Sequence, residues 1–283
     1  MKRANKKKRS GLLYLAAVSM TTLVVTGFTS SFVRSTYPDD GAAIPDADVN
    51  TSSDTPSGEE TSESFAKTRT FGVSEKGREI EGYELGTGSE CLLFFGGIHG
   101  NEKGTVVLLE QLADEVIAKP ELVAPTKRVV IIPLLNPDGY SEGIYRDNTN
   151  GVNLNRNFLT TGWTANPDTT TFAGLQPFSE AESSVLRDVV EECQPSLMLA
   201  FHSQGGVVSP ELGKDSMALA EWYIAKTGYA HYNDWDYPGT ATKWFTETTG
   251  KPALTVEITN HMESDWEINQ DALLQLINSE RGF

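Results

Sequence analysis

Residues 96–102 read GGIHGNE, which puts an imidazole, His99, three residues before a carboxylate, Glu102. The segment follows an apolar run, Leu92-Leu93-Phe94-Phe95, and precedes a long helical pattern. A buried strand that passes through a glycine-rich turn into a helix delivers its polar side chains to the carboxyl edge of a sheet, where open α/β folds build their sites. There a His and a Glu at i and i+3 can reach one ion, and this donor pair suits Zn2+. Taken alone, the spacing serves equally well a loop histidine beside a helix-start glutamate favoured by the dipole.

Other placements bear on that choice. His202 ends the apolar stretch PSLMLAF and is followed by SQGG, which makes it the candidate third ligand. Two imidazoles and one carboxylate leave a position open for water, the pattern of catalytic rather than structural zinc. Glu257 lies inside LTVEIT. A carboxylate in an apolar strand is costly unless it points into a polar site. Near a metal it could take a proton from water and pass it to a leaving amine. The alternation Thr255, Glu257, Thr259 would equally permit an edge strand with Glu257 in solvent.

Residues 140–177 have little periodicity and much Asn, Thr and Gly, and a loop that long in a compact domain is usually functional. It carries Arg146 and, within NGVNLNRNF, Asn155 and Arg156. Arginine suits bidentate recognition of a carboxylate and stabilisation of an oxyanion. Tyr237-Pro238-Gly239-Thr240 falls in an aromatic loop that could close over a site. The remaining histidines, His231 and His261, end no buried strand and are read as non-ligands, although His261 is close to Glu257 in sequence.

The elements that must position these groups follow from periodicity. Residues 68–86 read as a hairpin. Strands at 91–96, 128–135, 195–201 and 253–259 alternate with helical patterns at 104–117, from Ser179 to Cys193, at 212–226 and at 263–278. Pro133 marks an edge or a strand end, Asn136-Pro137-Asp138-Gly139 a turn, and residues 228–245 read as irregular. The expected class is α/β, a mostly parallel or mixed central sheet with helices on both faces.

The 283 residues are not uniform along the chain. Residues 1–10 carry six positive charges and no acid, and residues 11–33 carry no charge, a run long enough to span a bilayer. This pattern reads as a signal peptide or an uncleaved membrane anchor, with the domain on the extracytoplasmic side. Residues 34–64, rich in Ser, Thr, Pro and Gly with eight acids after residue 36, read as a disordered acidic linker. Residues 65–283 form one domain. Removing seven cations and eight acids from totals of 23 and 39 leaves it near −15, which argues against nucleic acid as a partner. Cys91 and Cys193 could pair outside the membrane, but spacing does not decide it.

GGIHGNE, NPDGY, NGVNLNRNF, FHSQGG and VEIT, in this order, resemble the M14-type zinc carboxypeptidases over about residues 70–283, and the bacterial branch of murein peptide amidases most of all. The resemblance implies one zinc held by His99, Glu102 and His202. It implies Glu257 as general base and Arg146 as the group polarising the scissile carbonyl, with Asn155 and Arg156 holding the terminal carboxylate of a peptide or muropeptide. It implies a mobile tyrosine, either Tyr237 or Tyr232. Residues between the Pro-Gly turn and Trp244 would line the side-chain pocket. There Lys243 pointing inward would favour an acidic or carboxylate-bearing side chain, whereas Lys243 pointing outward would leave a small polar pocket at Thr242. A deacylase of N-acyl amino acids, similar to aspartoacylase, is the alternative enzyme. A wall-binding pseudoenzyme would have lost a ligand or the base, and neither is lost.

Overall fold

The computed structural model describes residues 64–143, 146–166 and 171–280. The segment read as a signal peptide or membrane anchor, with the basic residues before it, and nearly all of the acidic linker lie outside these. No helix among the described residues is long and apolar enough to cross a membrane.

The chain runs β1 (Ala66–Val73), β2 (Glu79–Leu85), β3 (Glu90–Phe95), α1 (Lys103–Ala118), β4 (Lys127–Ile132) and α2 (Pro137–Glu142). After the long loop come α3 (Ala181–Cys193), β5 (Leu197–Ser203), β6 (Val207–Pro210), α4 (Lys214–Thr227), β7 (Ala230–His231), α5 (Ala241–Thr249), β8 (Ala253–Ile258) and α6 (Trp266–Asn278). The strands form one sheet in the order β1-β2-β4-β3-β5-β8-β6-β7. Its centre, β4-β3-β5-β8, is parallel. The hairpin adds to β4 antiparallel, and β6 adds to β8 antiparallel. The sheet is therefore mixed, with a parallel middle.

Side-chain alternation divides the core into two layers. From β3, Leu92 and Phe94 face α1, α4 and α6, while Cys91, Leu93 and Phe95 face α3 and α5. On β8, Leu254, Val256 and Ile258 join the first layer and Ala253 the second. Period two then sends Thr255 and Glu257 to the second face. On β5, Met198 and Ala200 belong to the second layer, so His202 follows them there. One face of the sheet thus ends, at its carboxyl edge, in the polar groups picked out above.

The second layer holds a disulfide between Cys91 on β3 and Cys193, the last residue of α3, with the Cα atoms 6.0 Å apart. The bridge spans 102 residues, and a loop of that size constrains the unfolded chain by roughly 4–5 kcal/mol in the chain-entropy model. We expect Cys193→Ser to lower the urea midpoint by a corresponding amount. Equal midpoints for the variant and the untreated protein would mean that the bridge contributes nothing.

Of the two readings of Pro133 the strand end holds, since it follows Ile132, the last residue of β4, an interior strand between β2 and β3. Three local readings change. Asn136-Pro137-Asp138-Gly139 is not a free turn but the start of α2: Asn136 caps it by accepting from Gly139 N at 2.9 Å, and Pro137 takes the first helical position, where its missing N–H costs nothing. α3 begins at Ala181 rather than at Ser179, whose hydroxyl donates to Glu180 Oε1 at 2.6 Å. The stretch read as irregular ends in the first turns of α5, capped by Thr240.

Candidate active site

The GGIHGNE turn is held from three sides. Gly97 N donates to Thr105 Oγ1 at 3.0 Å, and that hydroxyl donates to Glu102 O at 2.7 Å. Asn136 donates from N to Gly97 O at 2.9 Å and from Nδ2 to Ile98 O at 3.3 Å and Asp147 O at 3.2 Å. One buried amide thus ties the His99 turn to the segment carrying Arg146. Beneath it, the buried Asp138 accepts from Ser74 Oγ at 2.9 Å, from Lys76 N at 3.0 Å and from Arg78. The motif's role here is to brace two site loops against each other.

Glu102 occupies the N-cap position of α1, yet its side chain makes no capping bond. Its oxygens instead face two imidazoles: Oε1 lies 2.8 Å from His99 Nδ1 and Oε2 lies 3.2 Å from His202 Nδ1. All three residues are 2% exposed, too little for water to satisfy them. His99, Glu102 and His202 form a cluster whose ligand atoms lie within 4.8 Å of one another. His99 Nε2 lies 3.2 Å from Asn153 Oδ1, an acceptor for a proton on that nitrogen; in the tautomer that uses it, Nδ1 turns a lone pair toward Glu102. Two electron-pair donors do not favour each other at that range, and Glu102 Oε2 has no hydrogen-bond partner. A cation between them resolves both conflicts. Two nitrogens and one carboxylate oxygen fit zinc with an open position.

Burial pushes the pKa of His99 down, which keeps the imidazole neutral. Burial would raise the Glu102 carboxyl, but the two imidazoles outweigh it and hold it well below the usual range. For His202 burial acts downward and is overcome by Glu102, so its pKa is raised. Metal binding uses the neutral form of that ring.

A cavity of about 330 Å³ opens beside the cluster and is lined by His99, His202, Arg146, Asn155, Arg156, Tyr237 and Glu257 among others. Glu257 pairs in register with His202 across β5 and β8. Burial, with the Glu102 charge adding to it, raises its pKa. Asn155 is fixed by Ala241 N, which donates to its Oδ1 at 3.0 Å, and its Nδ2 lies 3.4 Å from His202 Nε2. The Arg156 guanidinium donates to Asn155 O at 2.6 Å and lies 4.7 Å from the centre of the Tyr237 ring. Burial, reinforced by the Arg146 charge, lowers its pKa to about 10. A buried cation so placed favours an incoming anion. Gly239 allows the Tyr237 loop to close on this segment: its φ is +79°, and a Cβ there would meet Arg156 O at 2.2 Å.

Of the residues predicted from sequence, the cavity gathers His99, His202, Glu257, Arg146, Asn155, Arg156 and Tyr237. Glu102 sits behind the two histidines. Lys243 is the correction. It does not line the cavity, because its ammonium is engaged by Asp236 and, at 3.6 Å, by Glu247. Thr242, its neighbour on α5, lines the cavity instead. Tyr232 also lies outside, stacked on Trp235, whose ring does reach the cavity. His261 is occupied with Ser203 Oγ at 2.7 Å and Asn101 Nδ2 at 3.3 Å, and His231 is exposed on β7. Sequence reasoning missed Asn153, Trp235 and Glu211. The first could have been found from its place in NGVNLNRNF; Glu211 could not, because β6 was not recognised.

Comparison with known proteins agrees with this geometry. The chain belongs to the peptidase M14 family of zinc carboxypeptidases, whose family model matches residues 58–223. Murein peptide amidase A of Escherichia coli (strain K12) is 30% identical over 149 residues, covering 46% of this chain and 59% of that protein. A zinc carboxypeptidase of Simulium vittatum is 27% identical over 157 residues, covering 47% and 52%. The chain thus spans little more than half the length of these relatives. In fold it is similar to the murein-tripeptide amidase of E. coli O157, with a TM-score of 0.60 at 23% identity, covering 76% of this chain and 93% of that one. It is also similar to carboxypeptidase A of Helicoverpa armigera, with a TM-score of 0.63 at 20% identity, covering 76% and 66%. The family match stops before β8, which carries Glu257 beside His202 through its pairing with β5.

Proposed function

We propose that this protein is a zinc-dependent carboxypeptidase that hydrolyses the amide bond next to the C-terminus of a cell-wall peptide, working outside the cytoplasm. The carrying observation is that one cavity is lined by the two histidines of the His-Glu-His cluster, a carboxylate on the neighbouring strand and two arginines. The murein reading is supported by the likeness to murein peptide amidase A. The extracytoplasmic reading is supported by the basic and then uncharged N-terminal segment and by the disulfide, a bond typical of oxidising compartments.

A zinc ion held by His99, Glu102 and His202 would supply Lewis acidity to water and to the scissile carbonyl. The chain's own residues do the rest. Arg156 and Asn155 receive the terminal carboxylate, which sets the last amide bond over the site. Glu257 takes a proton from the attacking water and returns it to the departing amine. Arg146 donates to the oxygen on which negative charge develops. Tyr237, with its ring 4.7 Å from the Arg156 guanidinium, lines the cavity beside it.

The test offers the purified full chain, with zinc, peptides with free and with amidated C-termini, muropeptides and N-acyl amino acids, and reads products by mass spectrometry. Release of single C-terminal residues, or of a diamino-acid end from muropeptides, is expected. Cleavage of N-acyl amino acids alone would move the chain to the deacylases. Arg156→Ala should raise KM for free-acid peptides by about 10- to 100-fold, as loss of a charged hydrogen bond predicts. An equal loss on amidated peptides would argue against a carboxylate clamp.

A further inference from the structure

The far wall of the cavity is made by β6. This strand runs antiparallel to β8, with Val207 opposite Glu257 and Ser209 opposite Thr255. Opposed residues share a face, so Ser209 lies on the same side as Thr255 and Glu257. One step further along the same face is Glu211, whose N donates to Ala253 O at 3.1 Å and extends the pairing past the strand end. The alternation therefore aims a second carboxylate into the cavity, and Glu211 lines it together with Ser209, Thr242 and Thr255.

Glu211 is held in place by hydrogen bonding, and the cation near it, Lys243, makes its ion pairs elsewhere. Thr242 Oγ1 donates to its Oε1 at 2.6 Å and lies 3.3 Å from Thr255 Oγ1. Among the described residues Glu211 forms no ion pair, since the nearby Lys243 is engaged by Asp236 and Glu247. Burial pushes the carboxyl up, and the Thr242 hydrogen bond and the Lys243 charge offset this only in part, so a further positive charge in the cavity would stabilise the ionised form. Its neighbours on this wall, Ser209, Thr242 and Thr255, are small hydroxyl residues that carry no charge.

We propose that Glu211 determines specificity in this cavity, and that the residue released from the substrate carries a positively charged nitrogen at the end of its side chain. The proposal rests on the carboxypeptidase reading and gives it a substrate class. It reverses the expectation attached to Lys243: the charged wall of the pocket is acidic. Arg156 and Asn155 take the main-chain carboxylate, and Glu211 takes the opposite charge on the side chain.

The test compares peptides that differ only in their last residue: lysine, arginine, norleucine or glutamate. With the zinc-loaded full chain, kcat/KM for lysine or arginine should exceed that for norleucine by on the order of 30-fold or more, as expected for a desolvated charge pair, with glutamate poorest. Glu211→Gln, which keeps an acceptor for Thr242, should remove most of that advantage while leaving norleucine peptides within about 3-fold. A wild-type preference for norleucine or glutamate, or an undiminished lysine preference in Glu211→Gln, would overturn the proposal and leave the carboxypeptidase reading intact. Calorimetric titration with free L-lysine and L-norleucine reads the pocket without turnover. Glu211-dependent binding of lysine by a chain that cleaves no peptide would sustain the pocket and sink the carboxypeptidase reading. Equal binding of the two amino acids would count against the pocket.

Discussion

Replacing Glu257 with glutamine is expected to leave the metal bound and to lower kcat by on the order of 10³- to 10⁴-fold, the range that general acid–base groups supply. The geometry separates the two effects. Glu257 stands opposite His202 in the β5–β8 ladder but is not part of the three-residue ligand cluster. Its side chain makes no hydrogen bond to other described residues, so the amide breaks no structural contact. Glutamine fills the same volume at the same strand position, and it removes the group that can accept and return a proton. Burial already makes the carboxylate a stronger base than an exposed glutamate, which suits it to that role. Metal content by elemental analysis and steady-state rates on a free-acid peptide check both halves. Full activity in the variant would exclude Glu257 as the proton carrier. Loss of metal along with activity would mean that the carboxylate belongs to the coordination sphere.

What the sequence reveals about this site depends on how each residue is delivered to it. His202 and Glu257 sit at the ends of apolar strands whose length and composition mark them as buried, so a polar residue there stands out. His99 and Glu102 lie in a turn whose glycines and following helix are local signals. Arg146, Asn155 and Arg156 are carried by a loop without periodicity, and only the motif spacing pointed to them. Glu211 and Lys243 went the other way because their placement depends on long-range pairing. β6 is four residues long, Val-Val-Ser-Pro, and becomes a strand only because β8 is there to pair with it. Lys243 lies on α5, a helix hidden in an aromatic-rich stretch, and Asp236 seven residues earlier draws its ammonium away from the cavity. The parallel middle of the sheet was legible from strand–helix alternation. The antiparallel additions were not, since a hairpin's local pattern does not state which edge it joins.

His202→Ala should abolish metal binding under conditions in which the wild type is fully loaded, with affinity lowered by more than the roughly 100-fold that loss of an outer-shell partner can cost. Three donors converge here, and each is buried too deeply for water to replace it. Removing one imidazole leaves two protein ligands and takes from Glu102 one of the two groups that hold its carboxyl ionised. An uncompensated carboxylate in that position is costly, so the variant should also lose stability, and its thermal midpoint must be followed beside its metal content. His261→Ala is the matched control. His261 is near in sequence to β8 and makes bonds to Ser203 and Asn101, yet it contributes nothing to the cluster, so that variant should keep full metal occupancy. The same comparison applies to Asn153, which fixes the tautomer of His99 from outside the cluster. Asn153→Ala should weaken metal binding by about 10- to 100-fold without abolishing it, because the ring keeps its place but loses the partner that presents Nδ1. A wild-type metal affinity in His202→Ala, with loss appearing in His261→Ala instead, would relocate the third ligand and with it the open coordination position that the proposed hydrolysis needs.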